Sequence, residues 1–299
     1  MFQGKLSLVL SCGFLIAGTI SSSLVGATIR DDTPDSSYRA LGAAPEYASV
    51  GRLVNSWGYN GSATLIAPEW ILTAAHSLVA ADSATFTLSG VSYTSSELFL
   101  HPSWQSGNPL AGYDFGLVHL STPILGITPA ALNIASAELG LVGTFVGYGL
   151  TGTGLTGYRT LDNQKRAVQN MIDGDLGNPS LVLGADFDNP HNPADSGFGS
   201  PNPLALEGAV APGDSGGGVF FTVDSQTYLA GVISFVADTD GRSNSDYGDV
   251  SGFGRVSQAY PWIATVVPEP SANALLAVGA CAMMAVWRRR RLSNSRSRG

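Results

Sequence analysis

One ordering constrains this 299-residue chain more than any other feature. A histidine in Leu72-Thr73-Ala74-Ala75-His76 and an aspartate in Tyr113-Asp114-Phe115-Gly116-Leu117 both precede a serine in Gly213-Asp214-Ser215-Gly216-Gly217. A serine hydroxyl is a poor nucleophile until an imidazole takes its proton, and the imidazole needs a carboxylate to fix its tautomer. All four histidines, His76, His101, His119 and His191, come before Ser215. Any fold whose catalytic base follows its serine is thereby excluded.

That exclusion removes the α/β-hydrolase elbow, whose G-x-S-x-G pattern residues 213–217 also satisfy. The order Asp, His, Ser of subtilisin would need Asp31, Asp32 or Asp35 as the acid, and an alternating α/β pattern that is missing. The chain instead shows short apolar runs between turn residues: Ser62–Leu65, Ala84–Leu88, Phe115–Leu120, Leu141–Val146, Gly218–Val223 and Tyr228–Phe235. Such runs predict an all-β barrel or sandwich. A terminal helix is expected over Ser257–Val266, limited in length by Pro261.

Both ends read as targeting segments. Residues 1–27 carry Lys5, an apolar run from Leu6 to Ile20 and the small residues Val25-Gly26-Ala27, the pattern of a secretory signal peptide and not of a membrane span. Residues 267–299 hold Val267-Pro268-Glu269-Pro270-Ser271, an apolar stretch from Ala272 to Trp287 and Arg288-Arg289-Arg290-Arg291. This tail resembles the PEP-CTERM sorting signal, which implies a Gram-negative host, membrane contact and an exosortase-type processing enzyme. An ordinary single-pass anchor is the alternative, although the apolar run is short for one. The middle segment, 28–266, has eight basic and 22 acidic residues, a net charge of −14. It repels phosphate backbones, so nucleic acid is not an expected partner. Cys12 and Cys281 both lie in the end segments, which leaves the middle with no disulfide and no thiolate metal site.

Residues 184–212, with Asp186, Asp188, Asn189-Pro190, Asn192-Pro193, Ser200-Pro201 and Asn202-Pro203, read as a long solvated loop. Asp238, Asp240, Asp246 and Asp249 read the same way. Neither group has the spacing of an EF-hand, and no metal or cofactor is expected.

Beyond these readings, the segments Ser62-Ala63-Thr64-Leu65-Ile66, Trp70 to His76, His101-Pro102-Ser103-Trp104, Tyr113 to Leu120, Val146-Gly147-Tyr148-Gly149 and residues 213–217 occur in an order that resembles the chymotrypsin/trypsin family of serine endopeptidases. The resemblance implies two packed six-stranded antiparallel β-barrels with a boundary near residues 130–140 and a short C-terminal helix. By the same resemblance Ser215 is the nucleophile, His76 the base and Asp114 the orienting carboxylate, with the N–H groups of Gly213 and Ser215 forming an oxyanion hole. Ser234 matches the serine that supports the aspartate. Substrate contacts fall to Ala209, Ser234, Phe235 and Val236, and Ser251 stands near a third pocket position.

With Ala209 where a trypsin carries an acid, and Glu207 two residues away from that place, the resemblance implies cleavage after small or medium apolar residues. Asp214 is implied as the partner of an activating N-terminal amino group. Cleavage after Ala27 would present Thr28, and cleavage after Arg39 would present Ala40; the expectation is that signal-peptide removal itself makes the terminus. The chain is thus expected to be an exported, surface-tethered, monomeric enzyme acting on protein or peptide substrates. An inactive surface-binding relative and an esterase of the same fold remain as alternatives.

Overall fold

The computed structural model describes residues 27–160, 162–178 and 180–268. Residues up to Tyr260 form one compact unit, and Pro261 begins a second. The first unit opens with β1 (Thr28–Ile29) and α1 (Asp35–Gly42). Six strands follow: β2 (Val50–Asn55), β3 (Asn60–Ala67), β4 (Trp70–Thr73), β5 (Ala84–Leu88), β6 (Val91–Leu100) and β7 (Gly116–Leu120). They close into an antiparallel barrel in the order β2-β3-β4-β7-β6-β5, with β5 returning to β2. Period-2 patterning explains the closure. In β5, Ala84, Phe86 and Leu88 point inward while Thr85 and Thr87 do not, and Leu53, Leu65, Ile71 and Val118 meet them inside. A fully buried leucine or phenylalanine contributes about 1.5–3 kcal/mol, and no cystine shares that task among the described residues.

The second half contains β8 (Ala131–Leu132), β9 (Val142–Gly147), β10 (Thr151–Thr153), β11 (Gly157–Thr160), β12 (Arg166–Met171), β13 (Gly174–Asp175), β14 (Val182–Asp186), β15 (Gly208–Ala209), β16 (Gly218–Val223), β17 (Gln226–Ala237) and β18 (Val250–Arg255). Its main sheet runs β12-β9-β16-β17-β18-β14-β13, with β8 beside β17. Asp224 and Ser225, both at positive φ, make the two-residue turn from β16 to β17. The all-β, two-barrel expectation holds, with a difference in the second half. That sheet curls without a complete ladder, and its ends are joined by a side chain: the Asn170 amide in β12 donates to the Asp186 carbonyl in β14. A small separate sheet, β11-β10-β1-β15, sets the N-terminal strand parallel to β10 and antiparallel to β15.

Two features depart from the sequence expectations. The first is α1, which the apolar patterning does not reveal. Pro34 precedes it, Asp35 and Arg39 pair at 3.0 Å one turn apart, and Tyr38 is its one large buried side chain, donating its hydroxyl proton to the Glu207 carbonyl at 3.0 Å. Arg166, 2% exposed, ties this helix down through Asp35 at 2.5 Å and Asp162 at 2.7 Å.

The second departure is the segment 184–212. It is not a solvated loop: Asp186, Asp188 and Glu207 are buried, and burial pushes the carboxyl of Glu207 up to about 8 and that of Asp173 to about 7. Backbone N–H groups explain how the chain tolerates this. Asp188 N–H and Leu204 N–H both donate to Glu207, and Phe198 N–H donates to Asp186, joined there by the Ser196 hydroxyl.

The terminal helix expected over Ser257–Val266 is present as α2 (Val256–Val266), with Pro261 inside it at the cost of one internal hydrogen bond. No helix among the described residues is long and apolar enough to cross a membrane. The segment before Ala27, expected to be a signal peptide, and the tail from Glu269 onward, expected to be a sorting signal, lie outside the described residues.

A buried ion pair gives the fold a sharp test. Arg255, at the end of β18, reaches Glu138, and both side chains are at most 5% exposed. Arg255→Met strands the Glu138 charge and is expected to cost about 3–5 kcal/mol, whereas the double change Glu138→Leu/Arg255→Met costs less than either single change. Urea unfolding of the three variants against wild type measures both statements.

Candidate active site

His76 lies on a 3₁₀ turn, Ala75–Ser77, directly after β4. Asp114 lies two residues before β7. Because β4 and β7 pair with Thr73 opposite Gly116, these two points of the chain arrive side by side. Asp114 is aimed by backbone strain: Gly112 and Tyr113 both have positive φ, 81° and 64°, and the Phe115 N–H closes a tight turn onto the Tyr113 carbonyl at 2.7 Å. The carboxylate, 2% exposed, then accepts from the His76 backbone N–H at 2.9 Å through Oδ1 and contacts His76 Nδ1 at 2.7 Å through Oδ2.

Ser234 supplies the next bond, donating from Oγ to Asp114 Oδ2 at 2.5 Å. It can do so because the β17–β18 register shifts between Ile233 and Phe235, and such a bulge re-aims the side chain it contains. Burial works against the charge on Asp114, but His76, Ser234 and the His76 N–H outweigh it and hold the carboxyl below its usual range. Burial likewise lowers the His76 pKa, and the adjacent Asp114 carboxylate overrides it, so the imidazole is held above its ordinary 6.5.

Ser215 follows β15 in the loop that leads to β16. Its backbone carbonyl accepts from the Ser62 N–H at 2.8 Å, which pins the loop to β3 beside the His76 turn. Gly213 has φ of +97°, where a β-carbon is disfavoured, and an added Cβ would also lie 2.9 Å from Gly149 Cα. Gly216 is equally constrained, since a Cβ there would sit 2.0 Å from Thr73 Oγ1. Asp214 N–H turns inward to the Ala211 carbonyl at 2.9 Å. The flanking N–H groups of Gly213 and Ser215 donate to no acceptor among the described residues. Two free donors therefore bracket Asp214.

Asp214 itself is buried, and that burial pushes its carboxyl up to about 6 against three backbone donors. These are Ala211 N–H at 2.8 Å, Gly149 N–H at 2.7 Å and Ala27 N–H at 3.1 Å.

One contact was invisible in the sequence. The Tyr59 hydroxyl, at the tip between β2 and β3, lies 3.3 Å from His76 Nε2 with its ring edge-on to the imidazole. Ser215 Oγ makes no hydrogen bond to His76 in this arrangement, so Tyr59 holds the nitrogen a nucleophile would use. No motif marks Tyr59; its only signal is an aromatic residue in a polar hairpin.

The other predicted positions are distributed as follows. Phe235 and Val236 are half-buried, and the Phe235 ring covers Gly252, where a Cβ would meet it at 2.4 Å. Ala209 is fully buried in β15 opposite Thr28, and the Ser251 hydroxyl accepts from the Val210 N–H at 3.1 Å. His101 stacks on Tyr113 at 4.8 Å, His119 bonds Ser96 and His191 bonds Asp31. None of these three approaches Ser215 by a described hydrogen bond.

Comparison with known proteins agrees with this geometry. The sequence matches the Trypsin family over residues 43–263. The chain belongs to that family of chymotrypsin/trypsin-like serine proteases. A stretch is also similar to chymotrypsin-like elastase family member 1 of Felis catus, 29% identical over 150 residues. That match takes in 40% of this chain and 54% of the cat protein, about half of the relative's length.

Removing the Tyr59 hydroxyl frees Nε2 for Ser215. Tyr59→Phe is expected to raise the rate at which Ser215 is acylated by an activated ester by roughly two- to tenfold, the worth of one ordinary hydrogen bond. Stopped-flow burst kinetics on both proteins checks it; a slower variant would make Tyr59 a positioning residue instead.

Proposed function

We propose that this chain is a secreted serine endopeptidase working through Ser215, His76 and Asp114. The observation that carries the reading is the combination of a buried Asp114–His76 pair with the unbonded N–H groups of Gly213 and Ser215, on either side of Asp214. A pair alone is common in folded proteins. A pair beside a glycine-built anion cradle and an exposed hydroxyl is what acyl transfer needs.

The chemistry follows from those positions. Ser215 Oγ attacks the scissile carbonyl carbon while its proton passes to His76 Nε2. The oxygen that gains charge is received by the N–H groups of Gly213 and Ser215. His76 then gives the proton to the departing amine, leaving an acyl ester on Ser215, and a water activated by the same nitrogen hydrolyses it. Asp114 keeps Nδ1 protonated throughout and stabilises the imidazolium; Ser234 fixes Asp114. The reaction calls on no metal or organic cofactor.

Apolar side chains of small or medium size suit the substrate wall made by Phe235 and Val236. Glu207 is engaged by the Asp188 and Leu204 N–H groups and offers no partner to a substrate lysine or arginine. Export, a sorting role for the tail and action as a monomer complete the reading and rest on the sequence.

The reading of Asp214 as activation partner gains a more specific form. Ala27, not Thr28, is the residue whose nitrogen reaches the carboxylate, while Thr28 and Ile29 are held in the small sheet. Cleavage between Gly26 and Ala27 would convert that N–H into an ammonium facing a buried carboxylate, whereas cleavage after Ala27 removes the donor. Arg39 and Ala40 lie inside α1, which disfavours a start at Ala40.

A second reading, a protease-like binding module, draws support from the missing Ser215–His76 bond. Fluorophosphonate labelling of the purified protein separates the two. The peptidase reading expects labelling that is abolished in Ser215→Ala and reduced at least about a thousandfold in His76→Ala. The rate should climb with pH through a midpoint above 6.5, because the imidazolium must lose its proton before it can act as base. Folded protein that takes no label would support the binding module.

Edman sequencing of active protein tests the activation scheme on its own. A start at Ala27 is expected, and full activity with a start at Thr28 or Ala40 would refute it.

A further inference from the structure

The loop that joins β17 to β18, residues 238–249, is the most acidic stretch near the site, and the mechanism does not use it. One oxygen from each of Asp240, Asp246 and Asp249 lies within 4.8 Å of the others. Calcium–oxygen distances are about 2.3–2.6 Å, so two ligands of one ion stand at most about 5 Å apart. The three carboxylates therefore fit a single sphere of that size.

A second observation is independent of this spacing. Asp249 is fully buried, yet its Oδ2 has no hydrogen-bond partner; only Oδ1 is used, accepting from the Thr239 N–H at 3.2 Å. An ionised oxygen buried without a donor is costly unless a cation faces it. The protein supplies none. Arg242, the one basic side chain in the loop, is 76% exposed and reaches no nearer than 3.9 Å, to Asp240.

Further hard oxygens surround the same loop. Asn244 donates through Nδ2 to Asp246 Oδ2 at 2.7 Å, and its Oδ1 is buried without a partner, as is the Ser245 hydroxyl. The backbone is already shaped: Asp249 N–H donates to the Asp246 carbonyl, Gly248 N–H to Phe187 and Tyr247 N–H to Gly154.

We propose that Asp240, Asp246 and Asp249 form a calcium-binding site that fastens the β17–β18 loop. An all-oxygen set with three carboxylates suits calcium, and the lack of histidine and cysteine argues against zinc. The site has a consequence for the substrate wall. Asp249 leads directly into β18, whose Val250 and Ser251 pair with Ala237 and Val236. An ion at the loop thus fixes the strand that carries Phe235 and Val236. The buried group of Asp173, Asp186, Asp188 and Glu207 also leaves carboxylate oxygens unpaired, but among the described residues only those of Asp240, Asp246 and Asp249 converge within one coordination sphere.

Isothermal titration of the EDTA-treated full chain with calcium chloride tests the site without reference to peptidase activity. Wild type is expected to bind one ion with a rise in Tm, and Asp240→Asn, whose side chain is partly exposed, to bind at least tenfold more weakly with an unchanged Tm in EDTA. Asp173→Asn should titrate like wild type. Limited digestion with added trypsin locates the ion: calcium should slow cleavage after the exposed Arg242 in wild type and not in Asp240→Asn. No heat and no Tm shift in wild type, or equal affinity and equal protection in Asp240→Asn, overturns the proposal.

Discussion

The buried carboxylate of Asp214 is the point on which the second half of the molecule converges. It takes N–H groups from Ala27, Gly149 and Ala211, three segments far apart in the chain, and its own N–H turns back to Ala211. Such close approach is allowed only by absent side chains: a Cβ on Gly147 or Gly149 would lie 2.2 or 2.6 Å from the Asp214 carboxylate. The Val146-Gly147-Tyr148-Gly149 run is therefore a space requirement. With Asp214 turned inward, Gly213 and Ser215 must present their N–H groups the other way. A charged group at the foot of the loop thereby determines the shape of the anion cradle above it.

Asp114 plays the corresponding part in the first barrel and is served differently. Its donors are one backbone N–H, one imidazole and one serine, and the serine comes from the opposite half of the molecule. The bond from Ser234 is a physical seam between barrel and curled sheet, as are Ser62 to Gly213 at 3.0 Å and Tyr148 to Ser62 at 3.0 Å. Catalytic geometry in this fold depends on those few polar bonds across the seam, since the two apolar cores lie on either side of it and do not set its register.

Much of this was legible in the chain. Strand runs such as Ala84–Leu88 and Gly218–Val223 coincide with β5 and β16, because half-buried strands write their alternation into the sequence. Gly213 was legible because positive φ beside a nucleophile leaves few other choices of residue. What escaped was determined by partners distant in sequence. Tyr38 anchors α1 through a carbonyl at Glu207, so eight residues with one large buried side chain carry too weak a period to read. The acids of 184–212 looked solvated because composition reports charge and not the donors that fold around it. The N–H that reaches Asp214 belongs to Ala27, a contact that no small-residue pattern at a cleavage site reports.

The acidic character of the chain has a structural distribution that its net charge conceals. Arg166 and Arg255, two of its few cations, are buried and committed to Asp35, Asp162 and Glu138. Cations are thus spent on joining segments, and the loops near the site keep uncompensated carboxylates. In a protein that has no cystine among its described residues, a loop such as 238–249 can be made stiff by hydrogen bonds, by packing or by an external ion. Tyr247 packs against Phe187, yet the loop leaves carboxylate, amide and hydroxyl oxygens of Asp249, Asn244 and Ser245 unpaired, and that chemistry suits the third route.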